Sequence, residues 1–242
     1  MHGVATARKK RTAGRQRHSH SARAPRCERG TFQAIHDTLF AAYGPQRWWP
    51  GDSRFEIMVG AVLTQNTAWL NVERAIANLK KAKALSPQAI VAAHPRRLAA
   101  WLKPSGYFNV KAQRLKAMCR WLIEQGGVRK LAKIPTAELR EALLAVYGVG
   151  PETADDILLY AFERPVFVID AYTRRIFQRL GLIEGSEDYE VLRKMFEHTL
   201  EADVPLFNEY HALIVVHAKD VCKTKPLCGQ CCLSAACSSA VS

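Results

Sequence analysis

Four cysteines near the end of the chain, Cys222, Cys228, Cys231 and Cys237, are separated by five, two and five residues. Four thiolates in one short loop can hold zinc or an iron–sulfur cluster, and spacing alone does not choose between them. Two separated two-residue knuckles would favour zinc, but only Cys228 and Cys231 form one. Cys232 adjoins Cys231 and could replace it only by changing two spacings at once, so Cys231 is taken as the ligand. Pro226 and Gly229 allow the loop to bend tightly. Five of the seven cysteines lie in the last 21 residues, a clustering that suits a metal site better than a disulfide framework. Cys27 and Cys119 stand apart and read as a tail residue and a buried apolar thiol.

A second constellation begins at Tyr147-Gly148-Val149-Gly150-Pro151-Glu152, where one helical pattern ends and another starts. Glycines permit the turn, and the new helix begins with unpaired N–H groups, a device that can hold a phosphate. By itself such a turn is equally a tight helix connection. About twenty residues on, Val166-Phe167-Val168-Ile169 leads into Asp170 at the start of the next helix. Asp170 could be an N-cap only, or a carboxylate held ready for chemistry. Three of the five tryptophans, Trp48, Trp49 and Trp69, fall in a short span that also holds Leu63-Thr64-Gln65-Asn66-Thr67. They could pack a core or wall an aromatic pocket.

The glycine turn, the Thr153-Ala154 that follows and Val168-Ile169-Asp170 together resemble the helix-hairpin-helix and aspartate of the endonuclease III-like DNA glycosylases, and the likeness runs from about Phe32 to Cys237. The resemblance implies that Gly148 and Gly150 grip the DNA backbone. It also implies that Asp170 stabilises an oxocarbenium-like sugar or activates water beside a flipped-out nucleotide. Gln65 would be the wedge that replaces that nucleotide in the stack, and Lys111 a phosphate contact. The four cysteines would hold a [4Fe-4S] cluster, folding the loop and directing Lys219, Lys223 and Lys225 towards DNA. The family's commonest first gap is six residues, one more than here.

One departure bears on the reaction. Family members that also nick DNA carry a lysine directly after the hairpin segment, where this chain has Glu152, and a carboxylate cannot form their imine. A monofunctional, water-using enzyme is implied. The Trp48-Trp49-Pro50 segment, with an aromatic just after Thr64-Gln65-Asn66-Thr67, resembles the branch that removes alkylated purines such as 3-methyladenine. Trp48, Trp49 and Trp69 would then line the base pocket, and a cationic base is attracted to aromatic faces. Two alternatives remain: an endonuclease III-type glycosylase and AP lyase acting on oxidised pyrimidines, and a DNA-binding iron–sulfur protein without activity. Asp170 counts against the second, because a carboxylate beside a phosphate-gripping turn repels the ligand.

The elements that must position these residues are helical. No stretch shows the period-2 alternation of a strand, so the fold is expected to be all-α and two-lobed. Phe32, Ile35, Leu39 and Phe40 form one helical face stopped by Gly44. Ser53 and Glu56 form a capping box, Asn109 is read as the cap of a helix carrying Leu115, Met118, Leu122 and Ile123, and Gly126-Gly127 ends it. Pro135-Thr136 opens a helix through Leu139, Leu143 and Leu144. Further helices are expected at about 152–162, 171–181, 187–200 and 205–219, with Ser186 and Pro205 as start signals. The expected organisation is a disordered basic tail over 1–29, a helical domain over 30–220 with the hairpin at about 137–162, and a cluster loop with C-terminal tail over 221–242. Helices from about 53 to 162 would form one lobe, and the first helix would pack with residues after about 165.

Charge agrees with a nucleic-acid partner. The net charge is +13, of which +8 lies in residues 1–30, where nine Lys or Arg face one Glu; that start also resembles an organelle transit peptide. No apolar run is long enough for a membrane span, and no secretory signal is visible. The expected protein is a monomer on double-stranded DNA, cytoplasmic and nucleoid-associated if bacterial and intracellular otherwise.

Overall fold

The computed structural model describes residues 29–240; the expected basic tail, with Cys27, lies outside the described residues apart from its last position. Helices and turns account for all regular structure among them, with no strand. In chain order the helices are α1 (Arg29–Tyr43), α2 (Arg54–Leu63), α3 (Trp69–Lys81), α4 (Pro87–Ala92), α5 (Pro95–Leu102), α6 (Phe108–Glu124), α7 (Val128–Leu131), α8 (Thr136–Leu144), α9 (Pro151–Asp156), α10 (Ala171–Arg179), α11 (Tyr189–Leu200) and α12 (Val204–Asp220).

Local signals explain most boundaries. Ser53 Oγ accepts the Glu56 N–H at the start of α2, while the Glu56 carboxylate turns to Lys80 at 2.6 Å instead of closing a reciprocal box. Helix α1 stops at Gly44, where φ is +66°, a backbone angle that glycine adopts without strain. Two expectations need correction. Asn109 lies inside α6, whose cap is Tyr107 in a left-handed conformation. The start of α11 is set by Asp188, not Ser186. Helix α12 does open with Pro205 in its first turn, and the Asp203 carboxylate caps the Leu206 N–H. Phe40 and Ile123 point outward, although their helical neighbours Leu39 and Leu122 are buried.

Two hydrophobic cores result. The first gathers apolar side chains of α2 through α9, among them Met58, Leu79, Leu115 and Leu143. The second joins Phe32, Ile35 and Leu39 of α1 to Phe167, Phe177, Phe196, Phe207 and Tyr210. Most of its rings meet edge-on or tilted, as at Phe32 and Phe196, 4.9 Å apart, while Phe167 and Phe196 stack at 4.5 Å. The seam is the wide turn Ile157–Ala161 that continues α9. Ile157 and Leu158 enter the first core, Leu159 and Tyr160 the second, and Ala161 returns to the first. A regular helix has one apolar stripe; widening by one residue per turn lets consecutive side chains serve opposite sides.

An ionic network crosses the same seam. Asp155 is completely buried and takes two bonds from Arg140, at 2.6 and 3.0 Å. Arg140 also bonds Glu190 of α11, which pairs with Arg193, and Arg193 pairs with Glu197 at 2.7 Å. Glu197 in turn accepts the Phe167 N–H at 3.1 Å, and the Tyr189 hydroxyl receives the Ile169 N–H at 3.4 Å. The extended segment before α10 is therefore hung on α11.

Removing one member of a buried pair strands the other charge, which costs about 3–5 kcal/mol. Asp155→Ala should lower the unfolding free energy in urea by that amount. Glu190→Gln, at the half-exposed end of the network, should cost about 1 kcal/mol or less.

Candidate active site

The segment hung on α11 delivers Asp170 to the N-terminus of α10. Its Oδ1 accepts the Thr173 N–H at 2.7 Å and the Thr173 hydroxyl at 2.8 Å, and its Oδ2 lies 3.7 Å from His211 Nε2 on α12. Burial opposes ionisation of this carboxyl, but His211 and the two Thr173 donors outweigh burial and hold it below the usual range. Asp170 is thus both an N-cap and an ionised group at a cavity wall.

That cavity, of about 560 Å³, is lined by Trp48, Trp49 and Trp69 together with Glu152, Asp156, Asp170, His211 and Lys219. It falls within the range of roughly 300–1,000 Å³ typical of small-ligand sites. The indoles support each other: Trp49 stands edge-on to Trp69 at 5.0 Å, and Trp48 is 6.0 Å from each. Trp69 Nε1 donates to Glu73 at 2.8 Å. Gly60 makes room for Trp49, since a Cβ there would lie 3.1 Å from the indole nitrogen.

The carboxyls opposite differ in state. Burial, then the charges of Glu152, Asp170 and Asp155, push Asp156 well above the ordinary range. Glu152 keeps an exposed side chain at the rim, yet the surrounding wall and then Asp170 raise it, with His211 acting in the other direction. Only Asp170 has donors that stabilise its anion.

The hairpin lies beside this cavity and Gly148 and Gly150 do not line it. Gly148 has φ +84°, and a Cβ there would run into the Arg114 side chain. Gln65 is also outside the cavity: its Nε2 donates to Gly148 O at 3.0 Å and to Thr153 Oγ1 at 2.9 Å, while its carbonyl accepts from Arg114. Gln65 therefore braces the hairpin, and its neighbours Thr64, Asn66 and Thr67 face the pocket.

The expected phosphate contact at Lys111 is corrected. This residue is 2% exposed, and its ammonium donates to Leu63 O, Ser105 O and Thr67 Oγ1 at 2.5–2.8 Å. Burial and Arg114 push it down to about 8. Lys111 ties the end of α2 to the turn before α6. The side chains that do reach solvent from that turn are Lys103 and Tyr107, the latter 73% exposed.

Cys222, Cys228, Cys231 and Cys237 line one hollow together with Arg179, and the exposed Cys232 does not. The loop wraps the far end of α10: Arg179 donates to the carbonyls of Lys223 and Thr224 and to Cys222 Sγ, and Cys237 Sγ donates to Arg179 O. Among the described residues no three His, Cys, Asp or Glu side chains converge tightly enough for a single metal ion. Cys119 is buried within the first core, its thiol pushed up to about 12 by burial.

A two-core helical fold with a glycine hairpin, and an ionised aspartate at the mouth of an aromatic cavity, defines a helix-hairpin-helix DNA N-glycosylase. A family model described as HhH-GPD superfamily base excision DNA repair protein matches residues 59–202, and the chain belongs to that family. The candidate DNA repair glycosylase MJ1434 of Methanocaldococcus jannaschii is 46% identical over 200 residues, 81% of this chain and 91% of the relative. Endonuclease III of Thermotoga maritima is 30% identical over 76% of this chain and 82% of its own length. Among solved structures, the 3-methyladenine DNA glycosylase MagIII of H. pylori, bound to 1,N6-ethenoadenine, superposes with TM-score 0.68 and 29% identity over 79% of this chain and 96% of that one. An endonuclease III–DNA complex shares the fold, with TM-score 0.76 at 20% identity over 88% of this chain and 96% of that one. The enzyme's partner is DNA, and no helix among the described residues is long and apolar enough to cross a membrane.

His211, Tyr160, Asp156 and Lys219 were absent from the sequence-derived pocket. They lie on helices whose apolar patterns absorb them, and only their convergence on Asp170 reveals them.

Lys111→Met should lower the unfolding free energy by about 3 kcal/mol, because buried acceptors lose their donor. Its DNA affinity should keep the wild-type salt slope. A surface phosphate contact would show the reverse: near-unchanged stability and a shallower salt slope.

Proposed function

We propose that the protein is a monofunctional glycosylase that removes an alkylated purine such as 3-methyladenine from double-stranded DNA, acting as a monomer and using water. The observation that carries this reading is the cavity, in which three indoles face an ionised Asp170 while the hairpin presents Glu152 where an imine would need an amine. An alkylated purine is cationic, and aromatic faces attract it by about 0.5–2 kcal/mol. The MagIII complex with 1,N6-ethenoadenine supports a modified adenine in the corresponding place.

In this mechanism Gly148 and Gly150 hold the DNA backbone, Gln65 leaves its hairpin bonds to prop the gap left by the flipped nucleotide, and the base enters between the tryptophans. The bond from C1′ to the base nitrogen breaks, and its electron pair neutralises the departing base. The sugar becomes oxocarbenium-like beside the Asp170 carboxylate, which stabilises it and accepts a proton from the attacking water. A good leaving group needs no covalent nucleophile.

Cys222, Cys228, Cys231 and Cys237 would hold a [4Fe-4S] cluster. A single zinc ion needs its thiolates crowded at about 2.3 Å from the metal, whereas a four-iron core takes thiolates spread around a hollow, as these are. When bound, it supplies cross-links that fix the loop against α10 and lend Lys223 and Lys225 to the DNA-facing side.

A second reading, a glycosylase that also nicks DNA, is favoured by Lys219. Its ammonium lines the cavity 5.9 Å over Trp48, and its amine is lowered by burial against the opposing charges of Asp170 and Asp220. Condensation of this amine with the abasic aldehyde would expel water and allow elimination of the 3′ phosphate.

Purified protein should release methylated purine or ethenoadenine from duplex DNA and leave strand breaks only after alkali. Asp170→Asn keeps the cap and should reduce release by about 100-fold or more while lesion binding persists. Release confined to oxidised pyrimidines would sink the alkylpurine assignment. Borohydride-trapped protein–DNA adducts that vanish in Lys219→Gln would establish the second reading. Serine at any of the four cysteines should remove iron and the brown colour, and Cys232→Ser should retain both.

A further inference from the structure

His211 is 5% exposed, and its Nε2 has no hydrogen-bond partner. A buried, unsatisfied imidazole nitrogen is uncommon, and this one lies 3.7 Å from Asp170 Oδ2 at the cavity wall. Its other nitrogen is engaged, with Nδ1 2.5 Å from the Tyr160 hydroxyl. Tyr160 comes from the wide turn at the seam, and its ring packs 4.9 Å from Trp49 of the pocket. The three side chains reach one point from three separate elements.

A neutral imidazole here has two possible tautomers. If Nδ1 carried the proton, an Nε2 lone pair would point at a carboxylate. With the phenol donating to Nδ1, Nε2 carries the proton and offers it to Asp170. Burial, together with Asp156, Asp170 and Glu209, keeps the phenol protonated and able to donate. We propose that Tyr160 and His211 are positioning residues for Asp170: the Tyr160 hydroxyl sets the imidazole tautomer, and His211 Nε2–H holds the carboxylate ionised and aimed across the cavity. At 3.7 Å the contact is longer than a hydrogen bond, and such catalytic contacts commonly shorten when substrate closes the site.

The relay answers a problem particular to this pocket. Asp170 faces Glu152 and Asp156 from α9, Tyr160 from the seam, His211 and Lys219 from α12 and Thr173 from its own helix. The two other carboxyls oppose its charge. Thr173 occupies only Oδ1, so Oδ2, the oxygen nearest His211, depends on the imidazole.

This inference rests on the reading of Asp170 as the group that needs its charge, but it can be tested without turnover. In the full-length, cluster-containing protein, the 13C-labelled Asp170 carboxyl is titrated by NMR in wild type, His211→Ala, His211→Gln and Tyr160→Phe. Loss of a neighbouring donor raises a carboxyl pKa, so the midpoint should move up in His211→Ala, by a smaller step in Tyr160→Phe, and least in His211→Gln, which keeps a donor. With a substrate the wild type cleaves, the acid limb of kcat should move to higher pH in parallel. The neutral-pH kcat of His211→Ala should fall about tenfold or more while KM stays within about twofold, and the double variant should be no slower than His211→Ala alone. An unmoved midpoint in folded Tyr160→Phe and His211→Ala overturns the proposal. Should His211→Ala fail to fold, Tyr160→Phe, which removes one oxygen atom, decides by the same midpoint. A wild type that releases no base defeats the functional reading and leaves the titration to judge the relay.

Discussion

A carboxylate stays ionised inside a protein only where donors surround it, and this constraint organises the molecule. Three consecutive acidic positions in space illustrate it. Asp155 is completely buried, and burial raises it, but the fork of Arg140, with Arg193 at 3.9 Å, acts against that rise. Asp170 is answered by Thr173 and His211. Asp156, between them in the packing, has neighbours of its own sign and is pushed towards the neutral acid. The first secures the seam between the two cores, the second is the anion at the cavity wall, and the third meets the cavity without adding a second full charge.

These roles are linked through backbone. The Asp155 network leads by way of Glu197 and Tyr189 to the N–H groups of Phe167 and Ile169, and so sets the run that ends in Asp170. From Asp170 the short helix α10 passes to Arg175 and Arg179, which bind the carbonyls of Ala218, Cys222 and Lys223. One nine-residue helix thus has the Asp170 carboxylate at its start and the cysteine loop around its end. The two are joined by a single rod of about 13 Å, at 1.5 Å per residue.

Much of this was legible in the sequence because the signals are local. The glycine turn, the apolar run into Asp170, the tryptophan segment and the cysteine spacings each lie within a few residues, and apolar periodicity gave the all-helical fold. The rest depends on where a side chain points after long loops close. Lys111 looked like a surface lysine because its spacing cannot reveal that Tyr107 takes a left-handed turn and rotates α6 so that the ammonium enters the first core's edge. His211 and Lys219 are separated from Asp170 by 41 and 49 residues, and nothing in α12 distinguishes them from its other polar positions. Ser186 lost to Asp188 as the start of α11 because the intervening Glu187 carboxylate binds the N–H groups of Glu184 and Gly185 and holds the chain in a turn.

The same logic separates the aromatic and acidic sides of the cavity. Tryptophan attracts a cation without carrying charge, so on the proposed function three indoles would select a charged base while it is bound and release their hold when cleavage neutralises it. A carboxylate acts in the opposite sense, becoming more favourable as positive charge moves from base to sugar. Because Trp49 touches Tyr160, and Tyr160 the imidazole beside Asp170, the indole wall adjoins the Asp170 carboxylate. On the proposed function substrate charge would then be read where it starts and met where it arrives, which is the differential binding that lowers a barrier.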